Sequence, residues 1–348
     1  MDSHAISISN DPLTVLAKKH FHIDYLFPYQ RLVISNILEA AGVPGFAPEP
    51  GTNPLTGEPE VIDTKPHQIV ILPTGAGKSL CFMLPASLLE GPTLVIFPLL
   101  SLIADQARRL IEAGMKPGIL RGGQSRTERE AVWKDVKSGK SRMILTNPET
   151  VLHPPVLAKL KELNIKHLVI DETHIVSEWG ETFRPVYLDI RRIAAEASVS
   201  VVTAFTATAS PIILEKIKAI LFPDTSPNIV FANPDRPNIR YSVIPTLSKD
   251  HTLTELFQPG SPRAATRPAL IFCRSRSGAE MTAHMLRERT GEKGIYFYHA
   301  GLEKEEKAEI EKWFFPSQDG VLASTCAYGM GVDKPDIRTV IHRDIPPS

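Results

Sequence analysis

Short apolar runs rich in β-branched residues recur along the chain between longer stretches with helical spacing. This alternation constrains the fold more than any other feature. A first series comprises QIVIL (68–72), TLVIF (93–97), MILT (143–146), HLVI (167–170) and SVSVVTAF (198–205). A second comprises ALIFC (269–273), IYFY (295–298), VLAST (321–325) and RTVIH (338–342). These runs read as strands buried on both faces, and such strands alternating with helices build parallel α/β sheets. Between the series lies PDTSPNIVFANPDRPNIR (223–240), whose Pro, Asn and Asp residues cannot continue a helix. It reads as the connection between two α/β lobes. The expected domains are residues 1–234 and 235–348.

One stretch does not suit a compact lobe. Residues 42–67 (GVPGFAPEPGTNPLTGEPEVIDTKPH) contain six prolines and little periodicity, and read as a mobile Pro/Gly-rich insertion in the first lobe. The length of 348 residues suits about two domains. The 39 Lys and Arg residues balance the 39 Asp and Glu residues, so bulk charge does not argue for a nucleic-acid partner and local basic groups must carry that case. Cys81, Cys273 and Cys326 lie far apart without CxxC spacing, against a disulfide framework or a zinc site. The greasy run from Thr93 to Ala104 is interrupted by Pro98 and is too short to span a bilayer, and the N-terminus has no basic region followed by an apolar one. A cytosolic protein away from membranes is expected.

The run QIVIL leads directly into Pro73-Thr74-Gly75-Ala76-Gly77-Lys78-Ser79, followed by the helical pattern LCFMLPASLL. A strand, a Gly-rich turn and a helix make a phosphate loop, because backbone N–H groups from Gly75 to Ser79 converge on an anion at a helix N-terminus. Lys78 adds a charge for the β- and γ-phosphates, and the Ser79 hydroxyl can ligate Mg²⁺. Leu72 stands where the strict phosphate-loop pattern has its first glycine, so a plain Gly-rich turn with an exposed lysine is the competing reading.

HLVI ends in Asp171-Glu172-Thr173-His174. Asp171 is placed to hold Mg²⁺ through its water shell, and Glu172 to orient and polarise an attacking water. Two acids after a strand are often only a solvated strand end. Paired with a phosphate loop, they read as the second half of an ATPase site.

TGAGKS (74–79), DETH (171–174) and TATAS (206–210) resemble motifs I, II and III of superfamily-two helicases. The segment IVSEWGETFRPVYLDI (175–190) is similar to the aromatic-rich loop of RecQ helicases, and FPLLSLIADQ, DRPNIRYSV, YHAGL and YGMGVDKPDIR also resemble RecQ segments in the family's order. The resemblance runs from about residue 25 to the end. It implies two tandem RecA-like lobes of a P-loop NTPase using ATP and Mg²⁺, and a 3′-to-5′ DNA helicase acting on single-stranded and partly duplex DNA in repair and recombination. It implies a nucleoid setting in a bacterium or a nuclear one in a eukaryote. The WGETFRPVY loop disfavours an RNA remodeller.

Residue by residue, the resemblance implies that Trp179, Phe183 and Arg184 sense single-stranded DNA, by ring stacking and a phosphate contact. It puts Ser101, Asn147, Ser275, Arg276, His299, Gly301 and Thr325 along the DNA path, although caps and turns explain lone polar residues equally well. His174, Thr206 and Thr208 would couple hydrolysis to DNA movement, Gly331 and Asp333 would face the nucleotide, and Gln30 would read adenine.

Three departures stand out. Leu26-Phe27-Pro28-Tyr29-Gln30 replaces the family's FRPGQ, so the arginine near the adenine is missing. Thr173 takes a position that is usually Ala. The chain ends at Ser348, ahead of the family's motif VI, QxxGRxGR, which supplies an arginine finger. The expectation is therefore a truncated core with an incomplete second lobe, and a non-hydrolysing ATP- and DNA-binding module is the alternative reading.

Overall fold

The computed structural model describes residues 11–46, 65–175, 189–232, 238–328 and 334–345. The chain divides into two compact units, residues 1–236 and 237–348.

In the first unit the strands are β1 (His67–Ile71), β2 (Thr93–Ile96), β3 (Gly118–Ile119), β4 (Met143–Thr146), β5 (His167–Ile170), β6 (Val201–Thr206) and β7 (Asn228–Phe231). The helices are α1 (Pro12–Phe21), α2 (Pro28–Ala40), α3 (Lys78–Ala86), α4 (Leu100–Glu112), α5 (Arg126–Lys137), α6 (Pro148–Val151), α7 (Pro154–Lys161), α8 (Ile190–Glu196) and α9 (Pro211–Leu221). Among the described residues the strands form one sheet in the order β3-β4-β2-β5-β6-β1-β7, with every pairing parallel.

The continuous apolar character of the strands has a direct structural cause. Ile69, Ile71, Leu94, Ile96, Leu168 and Ile170 pack on one face with α7, α8 and α9. Their neighbours Val70, Leu72, Val95, Phe97 and Val169 pack on the other with α2, α3 and α4. Successive residues point to opposite faces, and a helical layer covers each face, so most strand positions are apolar, with Gln68, Thr93, Thr146, His167, Thr203 and Thr206 as buried polar exceptions.

The second unit contains α10 (Lys249–Phe257), β8 (Ala269–Phe272), α11 (Arg276–Thr290), β9 (Ile295–Tyr298), α12 (Lys304–Phe314), β10 (Val321–Ser324) and β11 (Thr339–His342). Its parallel sheet runs β11-β8-β10-β9 among the described residues. Ile271, Val321 and Ala323 face α10 and α11, while Leu270 and Leu322 face Phe314 of α12.

The segment 223–240 is not connection throughout. Asn228–Phe231 pairs in parallel with β1 as the edge strand β7. Val230 is buried while Ile229 and Phe231 stay exposed, so this strand covers one side only and lacks the continuous apolar signature of the inner strands. The two-residue strand β3 also escapes a periodicity argument, being too short to show a period. Of the Pro/Gly-rich stretch, residues 47–64 lie outside the described residues, and its last residue, His67, already belongs to β1.

Candidate nucleotide and nucleic-acid sites

Three motifs meet because of strand order. β6 lies between β5 and β1, so the residues following β1, β5 and β6 emerge side by side at the carboxyl edge of the sheet, where open α/β sheets bind ligands.

After β1, the chain turns through Pro73 to Gly77 into α3. Gly75 and Gly77 have φ of 81° and 75°, a region L side chains rarely adopt. Gly77 is required for space as well, since a Cβ there would sit 2.3 Å from Gln30 Nε2. It is also the N-cap of α3 and supplies no side-chain cap, so the first-turn N–H groups at Lys78 and Ser79 are left for an external acceptor. Thr74 and Gly75 are exposed, and Ala76, Lys78 and Ser79 half-buried. Gln30, in the first turn of α2, donates from Nε2 to the Ala76 carbonyl at 3.0 Å and accepts from the Phe27 N–H at 3.0 Å. It ties α2 to the loop.

After β5, Asp171 is 9% exposed and its Oδ1 accepts from the Glu172 N–H at 3.0 Å. Burial, then the neighbouring Glu172 carboxylate, push the Asp171 carboxyl up to about 7, against the opposing pull of Lys78. Such a group gains from a cation. Among the described residues no cluster of three or more His, Cys, Asp or Glu side chains could hold a metal unaided. Ser79 and Asp171 fit Mg²⁺ in its usual manner, with few protein ligands and the rest from phosphate and water.

Glu172 has φ of 50°, a left-handed conformation for a non-glycine residue. Its carboxylate lies between Lys78 Nζ, 3.6 Å from Oε1, and His174 Nδ1, 3.4 Å from Oε2. His174 Nδ1 is also 3.1 Å from the Thr206 hydroxyl at the end of β6. That hydroxyl donates to the Thr208 carbonyl at 2.8 Å and accepts from the Thr208 N–H at 3.3 Å. Its single proton being used there, it can only accept from His174, which assigns the ring hydrogen to Nδ1. Lys78, Glu172, His174, Thr206 and Thr208 thus form one chain of contacts across motifs I, II and III. Thr173 is fully buried, and its hydroxyl donates to the Phe205 carbonyl at 2.9 Å, which explains why a threonine is accommodated where alanine is usual.

The residues expected along a nucleic-acid path also sit at carboxyl edges. In the first unit Ser101 is exposed in the first turn of α4, beyond β2, and Asn147 follows β4 directly. Asn147 donates to Glu149 at 2.7 Å, while its buried Oδ1 has no hydrogen-bond partner. In the second unit Ser275 caps α11 by accepting from the Gly278 N–H at 3.0 Å, and Arg276 follows. His299 and Gly301 come after β9, and Thr325 after β10. A Cβ on Gly301 would lie 2.9 Å from Arg276 Nη1 and 3.3 Å from His299 Nδ1, so these three residues are in close contact. His299 is 5% exposed and its Nε2 pairs with Glu280 at 2.7 Å. Trp179, Phe183, Arg184, Gly331 and Asp333 lie outside the described residues.

Sequence reasoning did not single out Tyr29, whose hydroxyl donates to Ala76 O at 3.4 Å, or Glu280 as the partner of His299. The departure from FRPGQ was the available signal for the first. The second had none, because the contact joins a helix to a strand end.

A phosphate loop on one strand, paired acids on another and a threonine relay between them define a P-loop NTPase core of the helicase type. Residues 52–217 match the DEAD/DEAH box helicase family, and residues 248–348 match the helicase conserved C-terminal domain. More narrowly, the chain belongs to the RecQ family of helicases. It is 34% identical over 84% of its length to the ATP-dependent DNA helicase RecQ of Pasteurella multocida, covering 46% of that protein. It is 35% identical over 80% of its length to the probable ATP-dependent DNA helicase RecS of Bacillus subtilis, covering 55% of that protein. The chain therefore spans about half the length of these curated relatives. A crystal structure of the DUF1998 helicase MrfA bound to DNA shares the fold, with a TM-score of 0.66, 19% identity and coverage of 98% of this chain and 48% of that one. No helix among the described residues is long and apolar enough to cross a membrane.

Proposed function

We propose that the chain is the motor core of an ATP-dependent DNA helicase of RecQ type, which hydrolyses ATP to move 3′-to-5′ on single-stranded DNA and separate duplex strands. The observation that carries this reading is the contact chain Lys78–Glu172–His174–Thr206–Thr208, which joins a phosphate-binding loop to a water-activating carboxylate and on to a neighbouring strand end. The names of the relatives, ATP-dependent DNA helicases, support the substrate class.

The chemistry follows from the geometry. The β- and γ-phosphates take the N–H groups of Gly75 to Ser79, and Lys78 exchanges the Glu172 carboxylate for phosphate oxygens. Ser79 and Asp171 would hold Mg²⁺, which supplies charge neutralisation at the phosphates. Glu172, released from Lys78 but still beside His174, accepts a proton from the attacking water as its oxygen bonds to the γ-phosphorus and the bond to the β-phosphate oxygen breaks. Loss of the Lys78 contact changes the charge facing His174. Thr206 and Thr208 pass that change to the end of β6. DNA phosphates and bases would meet Ser101 and Asn147 on the first unit, Ser275, Arg276, His299, Gly301 and Thr325 on the second, and Trp179, Phe183 and Arg184 of the aromatic-rich loop. Gly331 and Asp333 would complete the nucleotide site. A nucleoid or nuclear setting follows from the same reading.

The decisive experiment is Glu172→Gln, assayed for nucleotide binding and, in a protein with steady turnover, for hydrolysis. Binding is expected to stay the same or tighten, because Lys78 loses a competing anion, while hydrolysis falls by about 100-fold or more. Equal turnover by variant and parent would refute the role of Glu172.

A further inference from the structure

The turn after β9 leaves room where a side chain would otherwise stand. A Cβ on Gly301 would sit 2.9 Å from Arg276 Nη1 and 3.3 Å from His299 Nδ1, although the φ of Gly301 does not itself call for glycine. Glycine is needed here for space, and two nitrogens from different elements border that space. Arg276 opens α11 and is exposed, and among the described residues its guanidinium pairs with no carboxylate. His299 is the reverse case. It is 5% exposed, and its Nδ1 is buried without a hydrogen-bond partner. A buried polar atom left unpaired beside an open space points to a ligand atom that pairs with it.

Glu280 decides what that ligand meets. Its Oε1 lies 2.7 Å from His299 Nε2, and a carboxylate only accepts, so the hydrogen on Nε2 is committed to Glu280. The Phe297 ring lies along the imidazole with centroids 5.7 Å apart and planes within 19°, which fixes the direction of Nδ1. A strand phosphate is also an acceptor only. To meet one, Nδ1 must carry a hydrogen too, and the ring then holds both hydrogens and a positive charge. Signs of charge then alternate from the Glu280 carboxylate through the imidazolium and the phosphate to the Arg276 guanidinium. Two further charged or titratable groups stand near. His284 of α11 tilts against Phe297 at 5.7 Å, and Lys307 of α12 donates to the Ala300 carbonyl at 2.8 Å.

We propose that Glu280 is a positioning residue for nucleic acid: it fixes the His299 ring with Nδ1 toward the space beside Gly301, and it balances the charge the ring takes on when a strand phosphate enters beside Arg276, so that binding here takes up one proton. The proposal rests on the nucleic-acid reading above. It adds to that reading a residue that touches no phosphate itself, and a dependence on pH.

The test is fluorescence anisotropy at constant ionic strength with a dye-labelled oligothymidylate, whose phosphates and bases do not titrate between pH 6 and 8. The parent chain should bind about fivefold tighter or more at pH 6 than at pH 8, the sign following from the proton gained by the complex. Glu280→Gln keeps the shape but can donate to Nε2, which lets Nδ1 hold its hydrogen without a charge, so the ratio between the two pH values should fall below about twofold. His299→Gln should be equally flat, which assigns the dependence to His299 rather than to His284 or another histidine. A parent indifferent to pH would overturn the proposal without reference to any variant. So would a ratio that survives either substitution, even if affinity drops equally at both pH values, since that is the mark of a merely structural role. Failure of the parent to bind the strand at either pH would overturn the nucleic-acid reading itself, and the role of Glu280 with it.

Discussion

At the scale of single residues, Glu172 shows how backbone geometry serves the site. A left-handed conformation costs a non-glycine residue about 1 kcal/mol or more, and here it sets the carboxylate between Lys78 and His174. His167 makes the complementary case of a titratable group used for structure. It opens β5 fully buried, its Nε2 lies 2.9 Å from the Thr203 hydroxyl, and its Nδ1 has no hydrogen-bond partner. Burial holds its pKa down at about 3, against an ordinary value of 6.5. Between those values the unfolded chain binds a proton that the folded chain refuses, so this residue costs stability as pH falls below about 6.5 and nothing above it. Replacing it by His167→Gln should therefore flatten the acid limb of the stability curve by about 1.4 kcal/mol per pH unit between pH 6 and 4. Urea denaturation of both proteins across that range measures the slope. Parallel limbs would show that His167 is protonated in the folded state.

At the scale of elements, β7 and α3 illustrate two ways in which local sequence underdetermines structure. Among the described residues β7 pairs only with β1 and turns Val230 alone into the core. Val230→Ala is expected to cost about 1 to 3 kcal/mol through the cavity it leaves. Phe231→Ser, at an exposed position on the same strand, should stay within about 0.5 kcal/mol. Urea midpoints for the pair check this, and equal losses would mean that β7 is covered on both faces. For α3, the missing side-chain cap at Gly77 is a structural deficit only until an anion arrives, which is why the same residue must be glycine for conformation, for the approach of Gln30 and for the open N-terminus.

At the scale of the whole molecule, the formal charges sum to zero, so net charge supplies no attraction for nucleic acid and local basic groups must provide the affinity. Single-strand affinity should fall with salt in proportion to the number of phosphates neutralised, by about 0.7 in the log–log slope for each. Arg276, on the carboxyl edge of the second unit beside His299 and Gly301, is one such contact on the proposed path. Arg276→Ala should weaken binding of single-stranded DNA and lower the slope by about 0.7, measured by fluorescence anisotropy from low to moderate salt. An unchanged slope would remove Arg276 from the DNA path.

Much of the architecture was determined by the sequence alone. Nine strands could be read from their apolar runs, in the first unit because burial on both faces leaves a local, unbroken signature, although β9 and β11 of the second unit keep Tyr296 and Val340 exposed; the phosphate loop and the DETH acids could be read because their chemistry needs particular residues at fixed short spacings. What only the tertiary structure decided is which strand lies beside which. The insertion of β6 between β5 and β1 brings Glu172 to Lys78 and His174 to Thr206, and no local pattern encodes that order. The same holds for Gln30 on Ala76 and for β7 on β1, contacts between segments far apart in the chain. Periodicity reports how a segment is buried, whereas its partner is chosen by the shape and burial of the whole sheet, which exist only once the chain has folded.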